Sequence, residues 1–255
     1  MYSYTSGYDQ EEVFIPKGQV VGGSAIGIIV LGRVWYPLVP GNVANATTFN
    51  FPVYYKRLEG GTIDRMVSTK IDPAFLEEII KAGKELEEQG CRAVIGACGY
   101  FANYLTGVAA ALNIPVFISS LMQVPIISRA LKPTQKVGVI CANANALSPA
   151  ALNACGVNDL STIVIAGTQG LPDMQNVLQG TGHLNNAKFE QGLVDLAKRM
   201  VSDNPDIGAL LLECSDMPPY AWAIQKAVRL PVFDFTTMIN WVYNAVVRRP
   251  FAGFV

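Results

Sequence analysis

Two of the five cysteines occupy equivalent positions in the chain. Cys98 directly follows an apolar stretch at residues 93–97, and Cys214 lies two residues after a similar stretch at residues 207–212. Pro115 lies 17 residues after Cys98 and Pro231 lies 17 residues after Cys214, and Val-Phe follows each proline. The apolar sequences IGII at residues 26–29 and VGVI at residues 137–140 match as well. We interpret the chain as a duplication in which both cysteines serve the same purpose.

A cysteine between a strand and a helix is suited to acid/base chemistry. Ligands of parallel sheets bind beyond the carboxyl ends of the strands. Free N–H groups at a helix N-terminus favour a thiolate, which lowers the pKa of the thiol from its ordinary value of about 8.5. Two such thiols on either side of one cleft would reach opposite faces of a small carboxylic acid, one removing a proton and the other returning one. The sequence therefore predicts Cys98 and Cys214 as the catalytic residues.

Backbone amides and small polar side chains near the cysteines are the predicted substrate contacts. Amides that follow each cysteine would bind the substrate carboxylate and stabilise the negative charge of a carbanion. Hydroxyl groups at the ends of the next strands and an asparagine of the first half complete the set. The predicted substrate-binding residues are Gly99, Tyr100, Ser215, Asp216, Ser119, Ser120, Thr236 and Asn42. For the hydroxyls of Ser119, Ser120 and Thr236, ordinary capping of the next helix is the alternative.

The remaining cysteines and the single histidine are predicted to be structural. Cysteine is among the most buried residue types, so Cys91, Cys141 and Cys155 are assigned to the core. Five unclustered cysteines do not indicate a disulfide framework. No Cys-x-x-Cys occurs, and His183 lies in a predicted loop, so neither a zinc site nor a histidine-dependent triad is predicted. The expected chemistry uses no cofactor. Arg33 is predicted to be a surface residue, with contact to a distal anionic group as the alternative.

Composition excludes several classes of partner. Apolar residues make up 51% and charged residues 15% of the 255 residues, and the formal net charge is −1. A protein that binds nucleic acid or an anionic membrane needs an excess of basic residues, which this net charge does not provide. No apolar run approaches the ~18 residues of a membrane span, and the polar, acidic N-terminus does not resemble a signal peptide. We expect a cytoplasmic homodimer or higher homo-oligomer that binds a small carboxylic acid, no nucleic acid and no membrane.

Strands and helices alternate along the chain, as in a parallel α/β fold. Apolar runs predict strands at residues 25–31, 52–56, 93–97, 115–118, 136–141, 162–166, 207–212 and 231–233. Asp72-Pro73 and Gly90 mark the two ends of a predicted helix. Further helices are predicted at 101–112, 124–131, 146–155, 186–201, 219–228 and 237–248. The first ~20 residues show no clear period and are treated as an arm. Residues 32–61 are predicted to be mostly a binding loop whose aromatic residues Trp35, Tyr36, Phe49 and Phe51 shape the site.

The repeat predicts two similar parallel-sheet α/β domains related by a pseudo-twofold axis, with the active-site cleft between them. We assign residues 1–121 and 236–255, including the C-terminal helix, to the first domain. Residues 122–235 form the predicted second domain.

Both cysteine segments resemble the aspartate/glutamate racemase superfamily, which includes hydantoin racemase, maleate isomerase and arylmalonate decarboxylase. The resemblance covers residues 25–247 and rests on GACGY at residues 96–100, ECSDMPPYA at 213–221 and PGNVANATTFNFPV at 40–53. It implies paired cysteines that exchange protons with an α-carbon without pyridoxal phosphate or metal. Cys98 matches the first cysteine of the family and Cys214 matches the second. Asn-Thr commonly follows the first cysteine in amino-acid racemases, whereas Gly99-Tyr100 stands here, which implies a different acid as substrate.

Three functions are compatible with these observations. The first is a cofactor-independent racemase or epimerase of an amino acid or related small carboxylic acid. The second is a lyase, isomerase or decarboxylase that forms the same carbanion but gives it another fate. The third is a catalytically silent protein that binds a small acid.

Overall fold

Eight parallel strands form two sheets of four in a computed structural model that describes Ile15 and residues 17–255. The first sheet contains β1 (Ile26–Arg33), β2 (Val53–Thr62), β3 (Ala93–Gly96) and β4 (Val116–Phe117) in the order β2-β1-β3-β4. The second contains β5 (Lys136–Cys141), β6 (Ile163–Gly167), β7 (Ile207–Leu212) and β8 (Val232–Phe233) in the order β6-β5-β7-β8. The predicted fold class, two similar parallel α/β halves, is confirmed. Most of the predicted N-terminal arm lies outside the described residues.

Helices connect the strands on both sheets. The helices of the first half and the interdomain connection are α1 (Ile63–Met66), α2 (Pro73–Glu88), α3 (Leu105–Ala111) and α4 (Val124–Ala130). Those that follow are α5 (Pro149–Ala154), α6 (Pro172–Gln179), α7 (Asn186–Asp203), α8 (Ala221–Val228) and α9 (Phe235–Val246). Among the described residues, no helix is both long enough and apolar enough to cross a membrane.

The predicted start and stop residues of α2 are found at its two ends in the structure. The Asp72 side chain accepts the N–H groups of Ala74 and Phe75 at 3.0 and 3.2 Å, which satisfies two of the amides left free at a helix start. Gly90 follows the helix with φ +85°, a left-handed conformation that favours glycine. Phe75 and Leu86 lie on the buried face of this amphipathic helix.

The structure differs from the prediction at several segments. Strand β2 has ten residues where five were predicted, because it continues to pair with β1 past the predicted end, so the last residues of the expected loop are sheet. Helices α1 and α6 were not predicted; α1 has four residues, and the single apolar turn of α6 around Met174 and Val177 gives a weak period. The predicted helix at 101–112 begins as a 3₁₀ turn at Gly99–Tyr104, directly after Cys98, and becomes α-helical only in α3.

The C-terminal helix packs on the first sheet. Phe235, Met238, Ile239 and Val242 of α9 form one apolar cluster with side chains of β1 and β3. A second, larger cluster extends through both halves of the molecule. The contact of α9 agrees with its assignment to the first domain, whereas the domain boundaries stay a prediction.

Candidate active site

A cavity of about 240 Å³ lies where the two halves meet. Its apolar wall comes from β1, the loop after it, and helices α1 and α6: Val30, Leu31, Val34, Leu38, Ile63, Val67, Met174, Val177 and Leu178. Its polar wall contains Tyr36, Asn42, Tyr55, Cys98, Tyr100, Cys214, Ser215 and Asp216. None of the described residues that line the cavity is a lysine, arginine or histidine. Both predicted cysteines thus lie on one cavity that contains a carboxyl group but no basic side chain.

Each cysteine follows the carboxyl end of a central strand. Cys98 comes after β3 and directly precedes the 3₁₀ turn Gly99–Tyr104, and the backbone amide of Tyr100 acts to lower the pKa of its thiol. Cys214 comes after β7, and the backbone amide of Asp216 acts in the same way on its thiol. In each half the amide two residues after the cysteine therefore favours the ionised sulfur. The predicted binding of the substrate carboxylate by the backbone amides that follow each cysteine stays a prediction.

Burial opposes ionisation of both thiols. Desolvation raises the pKa of Cys98 and of Cys214 well above the ordinary range, and it outweighs the opposing effect of the single backbone amide at each sulfur. Neighbouring carboxyl groups add to the increase: Glu213 for Cys98, and Asp216 and then Glu213 for Cys214. The sequence analysis expected the helix starts to lower these values. That expectation was wrong because, at each sulfur, desolvation and the nearby carboxyl groups outweigh the effect of the backbone amide.

Asp216 is the buried carboxyl group at the centre of the polar wall. Its Oδ2 accepts the Cys214 thiol at 3.3 Å and the Tyr36 hydroxyl at 3.5 Å, and its Oδ1 accepts a short hydrogen bond from the Asn42 side-chain amide. Desolvation raises the pKa of Asp216, and these three hydrogen bonds partly offset that rise. The Cys214 thiol therefore donates to a buried carboxyl group that Asn42 holds in place.

The predicted binding residues separate into two groups. Asn42, Tyr100, Ser215 and Asp216 line the cavity. Gly99 is buried behind it. Ser119, Ser120 and Thr236 are absent from its lining.

Hydrogen bonds to other groups explain the placement of the three hydroxyl residues. Ser120 Oγ is 3.1 Å from both the Leu212 and the Glu213 carbonyl oxygens, so it joins the two halves. Ser119 accepts the N–H of Leu121, and Thr236 donates to Asp234 at the start of α9. Capping accounts for the Ser119 hydroxyl, as the alternative interpretation held, whereas Asp234 and Thr237 cap α9 and the Thr236 hydroxyl donates to the Asp234 side chain.

Only one of the four aromatic loop residues lines the cavity. Tyr36 contacts Asp216, whereas Trp35 is exposed at the surface. Phe49 and Phe51 belong to the cluster under α9, where Phe51 stacks on Tyr243 with ring centroids 3.6 Å apart. Sequence reasoning missed the lining residue Tyr55, whose hydroxyl donates to the Val43 carbonyl at 2.9 Å.

None of the other singled-out residues lines the cavity. Cys91, Cys141 and Cys155 are buried free thiols of the main core. Arg33 donates to the Glu59 carbonyl at 3.0 Å, and the exposed His183 contacts Asn176.

A buried carboxyl group that the sequence analysis gave no role stands beside both cysteines. Glu213, directly before Cys214, has no solvent exposure, and its Oε2 accepts the N–H of Ala142 at 3.4 Å. Its carboxyl group fills the space next to Gly99, where a Cβ atom would lie 1.9 Å from Glu213 Oε1. An acidic residue at the end of the otherwise apolar stretch 207–212 is the signal that could have identified it.

Comparisons with known proteins agree with this architecture. The sequence pattern of the family described as "Asp/Glu/Hydantoin racemase" matches residues 65–241. The dimethylsulfoniopropionate lyase of Durusdinium sp. clade D is 29% identical over 235 residues, which cover 90% of this chain and 77% of the relative. Dimethylsulfoniopropionate lyase 7 of Emiliania huxleyi (strain CCMP1516) is 30% identical over 226 residues, which cover 86% of this chain and 66% of the relative.

Solved structures share the fold at lower identity. Unliganded arylmalonate decarboxylase has a TM-score of 0.56 at 18% identity, covering 91% of this chain and 97% of its own. Glutamate racemase RacE1 from Bacillus anthracis has a TM-score of 0.55 at 16% identity, covering 87% and 82% of the two chains. Because the family pattern spans most of the chain and includes Cys98 and Cys214, the protein belongs to the Asp/Glu/hydantoin racemase family.

Proposed function

We propose that the protein is a lyase that cleaves dimethylsulfoniopropionate into dimethyl sulfide and acrylate. The sequence analysis put a racemase first and a lyase second. Seven curated relatives are named dimethylsulfoniopropionate lyases, which favours the second reading. The proposal rests on the charge of the cavity lining. The described lining holds the carboxyl group of Asp216 and no basic side chain.

That charge suits a substrate with a cationic end. Dimethylsulfoniopropionate carries a sulfonium on its β-carbon and a carboxylate beyond its α-carbon, so its net charge is zero. A carboxylate in a water-poor site attracts a cation strongly, and the Tyr36 ring adjoining Asp216 offers an aromatic surface of the kind that binds such cations. A dicarboxylate would bring two negative charges into a described lining that holds no basic side chain.

The proposed reaction begins at the Cys214–Asp216 pair. Asp216 takes the thiol proton across the 3.3 Å contact, and the resulting thiolate removes a proton from the substrate α-carbon. The electron pair of that C–H bond forms the α,β double bond while the β-carbon–sulfur bond breaks. The pair from the broken bond leaves on dimethyl sulfide, which needs no proton, and acrylate remains. The proton ends on the enzyme and passes to solvent when the site opens.

Cys98 lies on the same polar wall of the cavity as Cys214. Among the described residues its thiol makes no side-chain hydrogen bond, so its proton is available to the substrate. We assign it a hydrogen bond to the substrate carboxylate, which strengthens as negative charge spreads onto that carboxylate during α-proton removal. Ser215 stays a predicted contact, although its hydroxyl donates to the Ala97 carbonyl at 2.9 Å.

Product analysis tests the proposal. Purified protein incubated with dimethylsulfoniopropionate should release dimethyl sulfide and acrylate in equal amounts. Cys214→Ala and Cys98→Ala should abolish release with an unchanged circular dichroism spectrum. Cys91→Ala, which alters a core thiol far from the lining, should retain it. Folded wild-type protein that forms neither product would contradict the proposal.

A racemase is kept as the second candidate because of one feature, the matching amide contacts of Cys98 and Cys214. Two equivalent thiols suit proton exchange on both faces of a carbon. A racemase would incorporate deuterium at the α-carbon of a chiral acid in deuterated water without releasing any fragment. Deuterium exchange without acrylate formation would favour it over the lyase.

A further inference from the structure

The proposed reaction leaves one buried carboxyl group of the site without a task. Glu213 has no solvent exposure, and its Oε1 accepts no hydrogen bond from any of the described residues. Its Oε2 has one long contact, 3.4 Å, with the Ala142 amide. A carboxylate buried with so few donors is strongly destabilised, whereas a neutral carboxylic acid is tolerated.

The groups around Glu213 make its ionisation still less favourable. The turn after β3 contributes Cys98 and Tyr100, and the loop after β7 contributes Cys214 and Asp216. Cys141 at the end of β5 and Cys155 after α5 also face it. Each of these groups is neutral or negative in all its protonation states. Among the described residues, no basic side chain contributes to the pKa of Glu213.

Glycine at position 99 brings this carboxyl close to the reactive groups. A Cβ atom there would lie 1.9 Å from Glu213 Oε1 and 2.5 Å from the Glu213 carbonyl oxygen. The carboxyl group therefore packs against the backbone that directly follows Cys98, while its own backbone directly precedes Cys214. A charge on Glu213 would act on both thiols at once.

We propose that Glu213 is a positioning residue that must stay protonated while the site works, because its neutral form leaves one negative charge on the Cys214–Asp216 pair. Loss of its proton adds a second negative charge, which holds the protons on Cys214 and Cys98 and stops thiolate formation. This inference rests on the proposed elimination and adds an alkaline limit to it.

The protonation equilibria give the direction of the effect. Desolvation, reinforced by Asp216, raises the pKa of Glu213 to about 8. Below that pH the residue is neutral and the thiolate can form. Above it Glu213 becomes charged, so kcat should fall even though a free thiol would ionise more readily. A neutral amide at this position should remove the fall.

The test compares Glu213→Gln with a matched control. Asp234→Asn changes another buried carboxyl group whose pKa is also raised by burial, at the start of α9 and outside the cavity lining. Acrylate release is measured from pH 6 to 10. Wild type and Asp234→Asn should lose activity above about pH 8. Glu213→Gln should match wild type near pH 7 and exceed it by about tenfold at pH 9, one unit above the pKa of Glu213. Coincident wild-type and Glu213→Gln profiles would overturn the inference, as would a folded Glu213→Gln inactive at every pH.

Two measurements do not depend on lyase activity. Infrared spectra of wild-type protein with ¹³C-labelled glutamate should show a neutral carboxylic-acid band at pH 7 that disappears as the pH passes about 8; its absence at pH 7 would refute the inference. Alkylation of Cys98, followed by peptide mass spectrometry, should rise less steeply above pH 8 in wild type than in Glu213→Gln. If these results appear without acrylate formation, Glu213 controls the thiols but the proposed elimination is wrong.

Discussion

Replacing Asp216 by asparagine tests the two tasks that the proposed mechanism gives to this carboxylate. Asp216 accepts the proton of Cys214 across 3.3 Å, and it is the carboxyl group of the described lining that can pair with a sulfonium. Asparagine keeps the size of the side chain and an oxygen for the Asn42 amide. It removes the charge and the proton acceptor, so the fold should survive while both tasks are lost.

The expected loss has two parts. A sulfonium about 5 Å from a carboxylate gains about 3 kcal/mol at an effective dielectric constant of 20, which corresponds to roughly a 200-fold change in binding. Loss of a positioned general base typically costs about 10²- to 10⁴-fold in rate. We therefore expect kcat/KM of Asp216→Asn to fall by at least about 10³-fold, with contributions from both kcat and KM.

A neutral analogue separates charge pairing from proton transfer. The thioether 3-(methylthio)propionate has the carboxylate and the carbon chain of the substrate but no cation. Calorimetric titration should show Asp216→Asn binding the sulfonium compound about 200-fold more weakly than wild type does, by the estimate above, and the thioether no more weakly. Equal weakening of both ligands, or a fall in kcat/KM below tenfold in a folded variant, would refute the reasoning.

Three further changes test the structure around the cavity. Gly99→Ala places a methyl group against the buried Glu213 carboxyl, so it should lower the free energy of unfolding by about 1–3 kcal/mol in urea titrations and abolish acrylate release. The control Gly170→Ala adds a methyl group in open space and should change neither stability nor activity. Ser120→Ala removes a hydroxyl shared by two carbonyl oxygens of the other half and should cost about 1–2 kcal/mol, measured by urea unfolding; no loss would show that the contact is dispensable. The hydrogen bond from Arg65 lowers the pKa of Asp72, so the ionised carboxylate stabilises the fold above the unfolded-state pKa, and this stability is lost as the pH falls through the folded-state pKa. In Asp72→Asn the urea midpoint should therefore depend less on pH between pH 5 and 2.5. An unchanged pH dependence of the midpoint would contradict this.

The sequence was sufficient for the fold because its signals are local. Buried strands appear as continuous apolar runs, and the Asp72-Pro73 and Gly90 signals delimit α2. Equal spacing after Cys98 and Cys214 revealed the two halves. The misses had weak local signals: β2 depends on pairing with β1, and α6 offers a single apolar turn.

The site could be predicted only in part because contacts across the two halves are not encoded by spacing. Cys98 and Cys214 were identified from repetition, but the contacts of Asp216 with Tyr36 and Asn42 join residues more than 170 positions apart. The predicted lowering of the thiol pKa failed for a related reason. Helix position is visible in a sequence, whereas the desolvation that dominates in the folded protein depends on tertiary packing.

A racemase and a lyase can share these thiols because the substrate decides the fate of the carbanion. A racemase must return a proton to the opposite face, so both of its thiols need to change protonation state in each turnover. Dimethylsulfoniopropionate carries a neutral leaving group on its β-carbon, so the electron pair departs with sulfur before reprotonation is needed. One base is then enough. This fits the asymmetry between Cys214, which is hydrogen-bonded to Asp216, and Cys98, whose thiol makes no hydrogen bond to a carboxyl group of the described residues. For this reason Asp216→Asn should slow elimination through Cys214, while Cys98→Ser, whose hydroxyl still donates a hydrogen bond, should retain more activity than Cys98→Ala. Equal activities of the two Cys98 variants would argue instead for a proton-transferring role of both sulfurs.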